Sequence, residues 1–414
     1  MGSTASARTT RTGTCAALAV TIVALTPAAG SAVPGAPDTT FGPRGMRIDP
    51  TMLQSITEDG TSFGRLTALT GNRIAATTGL RCGMDCRSTV IARYLSTGSP
   101  DSGFATNGQL SLLTQGTDQD PATVWTPPVI ARDGSMITTG AGRLVRYAPD
   151  GTVASDAPSA NTFVPVAVTP DGRIVGRTDV FVSRGTWKRT VALYGPDGSI
   201  DPSVRPVTSL GRTVPAVTVA RGSVWIAFPT AARRGVPAGL SVRLVRRPLD
   251  GGAGIATRVS VQSPGIRRTV TSVDKILVGR AGRATVLCQL TRRQLLVGVA
   301  ANGSLDRRFG SRGLLPLEQA GARVHAAAVQ RDGRIVVATA VPSPTEDGGT
   351  FVVRRLSALG RSDATYPPRR FTLSDNILGQ DVAIDDAGRA VIGFGALAPN
   401  AATGRLRLLR LLGE

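Results

Sequence analysis

Apolar runs of five to seven residues, rich in Val, Leu, Ile and Ala, recur along this chain and end at glycine. VIARYL (Val90–Leu95), RLVRYA (Arg143–Ala148), TVALYG (Thr190–Gly195) and VRLVRR (Val242–Arg247) belong to the series, as do QLLVGVA (Gln294–Ala300), FVVRRL (Phe351–Leu356) and LRLLRLL (Leu406–Leu412). The glycines that close them are Gly98, Gly151, Gly198, Gly251, Gly303, Gly360 and Gly413, spaced by 47 to 57 residues. A second series, Gly71, Gly134, Gly172, Gly222, Gly282, Gly333 and Gly388, precedes β-branched or Ala-rich stretches such as GRIVGR and GRIVVATA. Each interval predicts two hairpins with tight glycine turns, which is four strands in ~50 residues, seven times over. That is the arithmetic of an all-β, seven-bladed β-propeller. A long β-solenoid is the structural alternative, and it needs no closure.

The stretch Ala301–Leu315, ANGSLDRRFGSRGLL, carries a sharper motif: Asp306, Phe309, Gly310, Arg312 and Gly313 before a short apolar strand. PDTTFGPRGMRI (Pro37–Ile48) repeats it with Asp38, Phe41, Gly42, Arg44 and Gly45, and looser copies lie at Gly98–Leu110 and Asp197–Val204. The repeats therefore begin just after a third-strand turn and end on one, at Gly413. The last unit lacks its fourth strand, and residues 37–48 supply one. The sequence predicts a single propeller over 33–414 in which this N-terminal strand closes blade seven and leaves no open sheet edge.

DGRIVVATA…FVVRRL and GSLDRRFGSRGLL resemble the delta-60 repeat proteins of bacteria. The likeness is strongest at Asp332–Ala338, Asp171–Val175, Ala301–Leu315 and Pro37–Ile48, and covers most of 37–414. Units two, four and seven depart from it. The resemblance implies a propeller-like fold and an exported location, and supplies no catalytic residue.

Met1–Ala32 reads as a signal peptide: Arg8 and Arg11, the apolar run Ala16–Leu25, Pro27, then Gly30-Ser31-Ala32 as small residues for cleavage. No later stretch is apolar enough to cross a membrane, so the expectation is a secreted or envelope-associated monomer. The formal charge is +20 over 414 residues, and of 48 basic side chains only Lys188 and Lys275 are lysine. Arginine in this excess reflects coding bias, or grips an anionic partner such as a wall polymer, or another envelope protein. Aromatics make up 4%, too few for the stacking platforms of single-stranded nucleic acid. Cys82 and Cys86 lie in a turn-rich segment and, outside the cell, are expected to be disulfide-bonded. Cys288, inside ATVLCQL, is expected to be a buried apolar residue.

Catalytic motifs are missing. His325 is the single histidine, and no Gly-x-Ser-x-Gly elbow, phosphate loop or dinucleotide fingerprint occurs. Glu58, Asp59, Asp118, Asp120, Asp375 and Asp381 fall near predicted inner strands, where a propeller funnels toward its axis. Such carboxylates do acid–base work, or hold calcium, or merely solvate loop ends. Asp171, Asp197 and Asp332 belong to turns. The longer connections, Gly79–Ser88, Phe181–Lys188, Pro229–Gly239, Val341–Gly349 and Phe394–Arg405, should share the face opposite the glycine turns. Their binding candidates are Trp187, Arg233, Arg234, Glu346, Asp347 and Arg405. Two functions follow. One is an exported, non-catalytic binding or scaffold propeller with an anionic ligand and no cofactor. The other is an extracellular propeller enzyme acting on carbohydrate or lactone through Glu58, Asp118, Asp120 and Asp381, with or without calcium. An Arg-lined or apolar funnel supports the first, and a ring of inward carboxylates the second.

Overall fold

The computed structural model describes residues 33–55, 63–81, 86–115, 126–140, 142–159, 161–183, 186–230, 240–261, 270–290, 293–317, 324–342, 349–373, 376–397 and 403–413. They form seven four-stranded antiparallel sheets, the blades of a β-propeller. Blade 1 consists of Phe63–Ala68, Ile74–Arg81, Cys86–Tyr94 and Gln109–Gln115, from the inside outward. The inner strands of blades 2 to 7 are Val129–Ile130, Val164–Val168, Ala216–Ala220, Val270–Val278, Val324–Val329 and Asn376–Ile384.

Blade 7 takes three strands from the end of the chain, Asn376–Ile384, Ala390–Leu397 and Thr403–Leu411. Its fourth, outer strand comes from the beginning: Met46–Ser55 pairs antiparallel with Thr403–Leu411, from Met46 opposite Leu409 to Ser55 opposite Thr403. The closing segment is as expected, but its strand starts later than Pro37 and runs beyond Ile48. Residues 39–45 turn instead of extending. Asp38 caps a single turn through Thr40 N (3.1 Å), Gly42 adopts φ 150°, and Arg44 and Gly45 have positive φ. Pro37 still bridges to Leu411, so both ends of the segment are fastened.

The apolar core is divided among the blade junctions. Seven buried clusters occur, and each joins two neighbouring sheets. The cluster between blades 7 and 1 holds Phe41, Leu66, Ile74, Tyr94, Val391, Leu406 and Leu408. That junction is built like the six others, which is what a closed ring requires. Cys288 is wholly buried in the junction of blades 4 and 5.

Both glycine series are hairpin turns. All but Gly413, which ends a strand and begins no turn, have φ between 64° and 98°. The acidic residues beside them do turn work, as Asp197 does by accepting Ser199 N (3.0 Å) and Ser199 Oγ (2.7 Å). Within each antiparallel sheet these turns share one end, and the second-to-third-strand connections lie at the other. Several of those connections, though not that of blade 4, are shorter than the sequence suggests, because pairing continues outward. In blade 3, Phe181–Lys188 is strand apart from its tip: Phe181 pairs with Trp187 and Ser183 with Thr186.

The repeated Asp-x-x-Phe motif, with Val204 or Tyr366 in place of Phe in blades 3 and 6, is a clasp. Its aspartate pairs with an arginine of the same blade: Asp101 with Arg93 (2.8 Å), Asp201 with Arg173 (2.9 Å), Asp306 with Arg283 (2.8 Å), Asp363 with Arg355 (2.7 Å). In blade 7 the aspartate is Asp38, contributed by the N-terminal segment. Three of these guanidinium groups also lie over the aromatic ring of the motif, Arg93 on Phe104, Arg355 on Tyr366 and Arg410 on Phe41, at 4.5 to 4.6 Å. Four of the clasp arginines then donate to a backbone carbonyl of the next blade, Arg93 to Pro149, Arg173 to Leu249, Arg355 to Gly413 and Arg410 to Ser96, and Arg146 of blade 2 reaches Pro196 in the same way. Six arginines are thereby bound into the scaffold and are not free to meet a ligand.

Candidate functional site

Inner strands face the axis, and four of them bulge. The ladder shifts register between Phe63 and Leu66 in blade 1, Pro165 and Ala167 in blade 3, Val270 and Ser272 and again Val273 and Lys275 in blade 5, and Leu378 and Gln380 in blade 7. A bulge leaves a residue outside the ladder and re-aims the side chains around it. Gly64, Arg65, Val166 and Asp274 drop out of pairing in this way. All four line a cavity of about 480 Å³ on the axis, together with Arg177, Lys275, Gln380 and Asp381. Gly64 has no room for a side chain, since a Cβ would sit 2.2 Å from the Thr77 carbonyl.

Asp381 is the one predicted axial carboxylate among the described residues, and the structure places it in this channel. It is fully engaged. Lys275 Nζ donates to Oδ1 at 2.7 Å, Val382 N to Oδ1 at 2.8 Å and Leu66 N to Oδ2 at 3.0 Å. The carboxylate thus ties the inner strands of blades 1, 5 and 7 across the axis. Asp274 accepts Ser272 Oγ (2.6 Å) and Gln294 Nε2 (3.0 Å). Arg177 donates to Asp179 at 2.8 Å.

A second cavity of about 470 Å³ continues toward the glycine-turn end, lined among others by Thr67, Ile130, Arg132, Arg331 and Asp385. At its mouth Asp386 accepts Arg132 Nη2 and Gly71 N (3.0 Å), with Arg331 at 3.6 Å. Burial alone would raise the Asp386 carboxyl, but the hydrogen bond and charge of Arg132 outweigh it and hold the group below the usual range. Asp385 is bound by Arg389 Nε at 2.8 Å. Arg65 lines both cavities, which puts it at the waist of the channel, exposed. Its guanidinium makes no ion pair or hydrogen bond with any described residue, while the carboxylates around it are spoken for.

Trp187 and Arg405 are both exposed, but on separate blades: Trp187 on the blade 3 hairpin, Arg405 near the start of the third strand of blade 7. Arg233, Arg234, Glu346, Asp347, Glu58, Asp59, Asp118, Asp120, Asp375, Cys82 and residues 1–32 lie outside the described residues, as do the side chains of Cys86 and His325. The backbone of His325 falls on the inner strand of blade 6, opposite Thr339. Among the described residues no three His, Cys, Asp or Glu side chains converge as a metal site would need. No described helix is long and apolar enough to cross a membrane. Arg65, Arg177 and Lys275 were not singled out by the sequence. The one available signal was broken alternation, as in VTSVDKILV.

No family model and no curated protein matches the chain. Solved structures resemble it in fold. The β-propeller domain of the Trilobed protease from Pyrococcus furiosus, described as having an open velcro topology, is 10% identical over 86% of this chain and 96% of that one, with a TM-score of 0.49. A protein of unknown function from Dyadobacter fermentans is 10% identical over 89% and 99% of the two chains, with a TM-score of 0.42. The NanB sialidase of Streptococcus pneumoniae is 10% identical over 88% and 70%, also at 0.42.

Proposed function

We propose that the chain is an exported, non-catalytic propeller of the delta-60 repeat type, a binding or scaffold module of the cell envelope whose axial channel receives an anionic group. The observation that carries this reading is Arg65, an uncommitted guanidinium at the waist of a channel whose described carboxylates already hold other donors. A guanidinium fork matches phosphate or carboxylate in pairs of hydrogen bonds, and apolar walls such as Val166, Val217 and Ile276 strengthen its field. Arg177 and Lys275 are each paired with a carboxylate, Asp179 and Asp381, which leaves Arg65 as the cation open to a ligand. The hydrolase reading would use Asp381 as a free base or nucleophile, and its two oxygens instead take three donors.

Binding of acidic wall polymers, teichoic-type against neutral arabinan-type, to the wild type and to Arg65→Ala tests this. The wild type should retain the acidic polymer at low salt and release it steeply at moderate salt, where charges are screened within about 8 Å. Arg65→Ala should bind about tenfold more weakly, the loss of a charge-assisted pair, with an unchanged melting curve. Equal binding by Arg65→Ala, or no retention of any anionic polymer at low salt, defeats the reading. Polymer cleavage that disappears in Asp381→Asn would establish the enzyme instead.

A further inference from the structure

The second and third strands of blade 3, Ile174–Ser183 and Thr186–Tyr194, pair along their whole length. Their inner neighbour, Val164–Val168, pairs only as far as Arg177, and their outer neighbour, Val207–Gly211, only as far as Trp187. From Thr178 onward the hairpin is a ribbon standing clear of the inner strand, at the end of the blade opposite the glycine turns. At roughly 3.3 Å per residue, Asp179–Ser183 reaches about 13 Å outward.

Among the described residues, five of the eleven exposed large apolar side chains lie on this ribbon and its adjoining strand. Val180, Phe181 and Val182 are 56, 59 and 56% exposed, Trp187 is 36% and Leu210 on the adjoining strand is 69%. Register divides them between two faces. Phe181 lies opposite Trp187, their rings edge to face at 5.4 Å. Val180 lies opposite Lys188, and Lys188 opposite Leu210, on the other face. Phe181 and Trp187 are two of only seventeen aromatics in a chain with 10 Phe, 3 Trp and 4 Tyr. Cations flank the apolar stretch. Lys188 and Arg212 are exposed, and Arg189 lies behind the Trp187 ring at 5.7 Å. The one described acid on the ribbon, Asp179, is held at its base by Arg177 (2.8 Å), with Arg189 at 3.8 Å.

We propose that this ribbon docks the propeller reversibly on an anionic lipid surface. A protein partner covers one face of a strand pair, whereas the interfacial layer of a bilayer surrounds both, and here both faces are apolar. Interfacial segments bury aromatic and aliphatic groups about 5–10 Å deep while their cations stay among anionic headgroups. Along this ribbon Phe181, Val182 and Trp187 lie just inside the Ser183–Thr186 pair, Val180 and Lys188 come one rung further back, and a neutralised Asp179 follows, level with Arg189. The charge complementarity extends to the whole chain at +20. The proposal is independent of the axial reading, since Arg65 lies in the channel.

Residues 33–413 contain all seven closed blades, so the chain from Val33 is the form to test, free of the apolar run before it. It should co-sediment with phosphatidylglycerol-containing vesicles at low salt and far less with pure phosphatidylcholine. In a Trp125→Phe background, tryptophan emission should shift blue on binding, and the shift should vanish when Trp187 is also replaced by Phe, since Trp225 is already buried. Phe181→Asp and Val182→Asp, both at exposed positions, should weaken vesicle binding about tenfold with unchanged melting, as expected when an apolar contact with the interface is removed. Arg65→Ala should bind vesicles normally. The proposal is overturned by three results: no sedimentation with anionic vesicles at low salt, wild-type binding by Phe181→Asp, or a ribbon that instead drives a concentration-dependent dimer with no affinity for vesicles.

Discussion

Arg410 Nε lies 2.9 Å from Asp38 Oδ2, which joins residues 372 positions apart in the chain. Both side chains are almost fully buried, at 1% and 4% exposure, and Arg389 approaches the same oxygen at 3.2 Å. Blades 1 and 6 make the same clasp locally, Arg93 with Asp101 and Arg355 with Asp363, eight residues apart. The ring is thus closed by splitting one repeat between the two ends of the chain.

That split makes a comparison available. Removing one partner of a buried pair costs about 3 kcal/mol or more, because the other charge is left uncompensated. Asp38→Ala and Asp101→Ala should destabilise to a similar degree in thermal or urea unfolding. Only Asp38→Ala also frees the closing strand, so limited proteolysis should cut Met46–Ser55 in that variant and spare it in Asp101→Ala. Equal protection of the N-terminal strand in both would show that the clasp does not hold the ring shut.

Gly98 and Gly71 test the blade junctions. Both have positive φ, 80° and 75°, so alanine pays a conformational penalty of about 1 kcal/mol at either. They differ in their surroundings. A Cβ on Gly98 would meet the Phe41 carbonyl at 2.6 Å, whereas one on Gly71 would meet nothing within 4 Å. Gly98→Ala should therefore lower the melting temperature several degrees more than Gly71→Ala, since it pushes the closing segment off blade 1. Matching losses would mean that the junction can yield.

The strands, their turns and the ring closure were legible because they depend on periodic signals. Gly98, Gly151 and Gly303 mark positive φ, and Val90–Leu95 or Phe351–Leu356 are short apolar-rich runs of the kind that strands buried on both faces show. The clasp was half legible: Asp306 and Phe309 stood out as a motif, but their partner Arg283 precedes them by more than twenty residues. Of the channel only Asp381 was legible. Which residues face the axis depends on the bulges at Gly64–Arg65, Val166 and Asp274, and a bulge resets the two-residue period that side-chain direction is read from. Asp381 was found by its position near an inner strand, without its partner Lys275. The blade 3 ribbon was read as a loop because nothing in Phe181–Lys188 signals that pairing continues past the inner strand.

The expected Cys82–Cys86 bond has a direct chemical readout. Closing so short a loop would stabilise by roughly 2 kcal/mol on the chain-entropy account. With Cys15 gone, thiol titration of the denatured, unreduced chain from Val33 should find one free cysteine, Cys288, and none before denaturation, since burial shields that sulfur and pushes its thiol up. Three free thiols would refute the bond.

The clasp also sets the response to acid. Asp201 is held at about 2, chiefly by its hydrogen bonds from Ser203 and then by Arg173. Burial pushes Asp38 and Asp363 up, but Thr40 with Arg410, and Thr365 with Arg355, outweigh it and leave both below the usual range. The folded value of each group is therefore lower than its unfolded one, near 3.8. Between the two values the unfolded chain binds more protons, so stability rises with pH across that window. The contribution is complete above about pH 4 and is lost as pH falls toward 2. The melting temperature should accordingly hold steady down to about pH 4 and then drop steeply. In Asp201→Asn, which carries no proton to exchange, the drop should be shallower while the plateau sits lower. A variant whose melting temperature runs parallel to the wild type through that range would show that the Arg173 clasp does not carry the acid sensitivity.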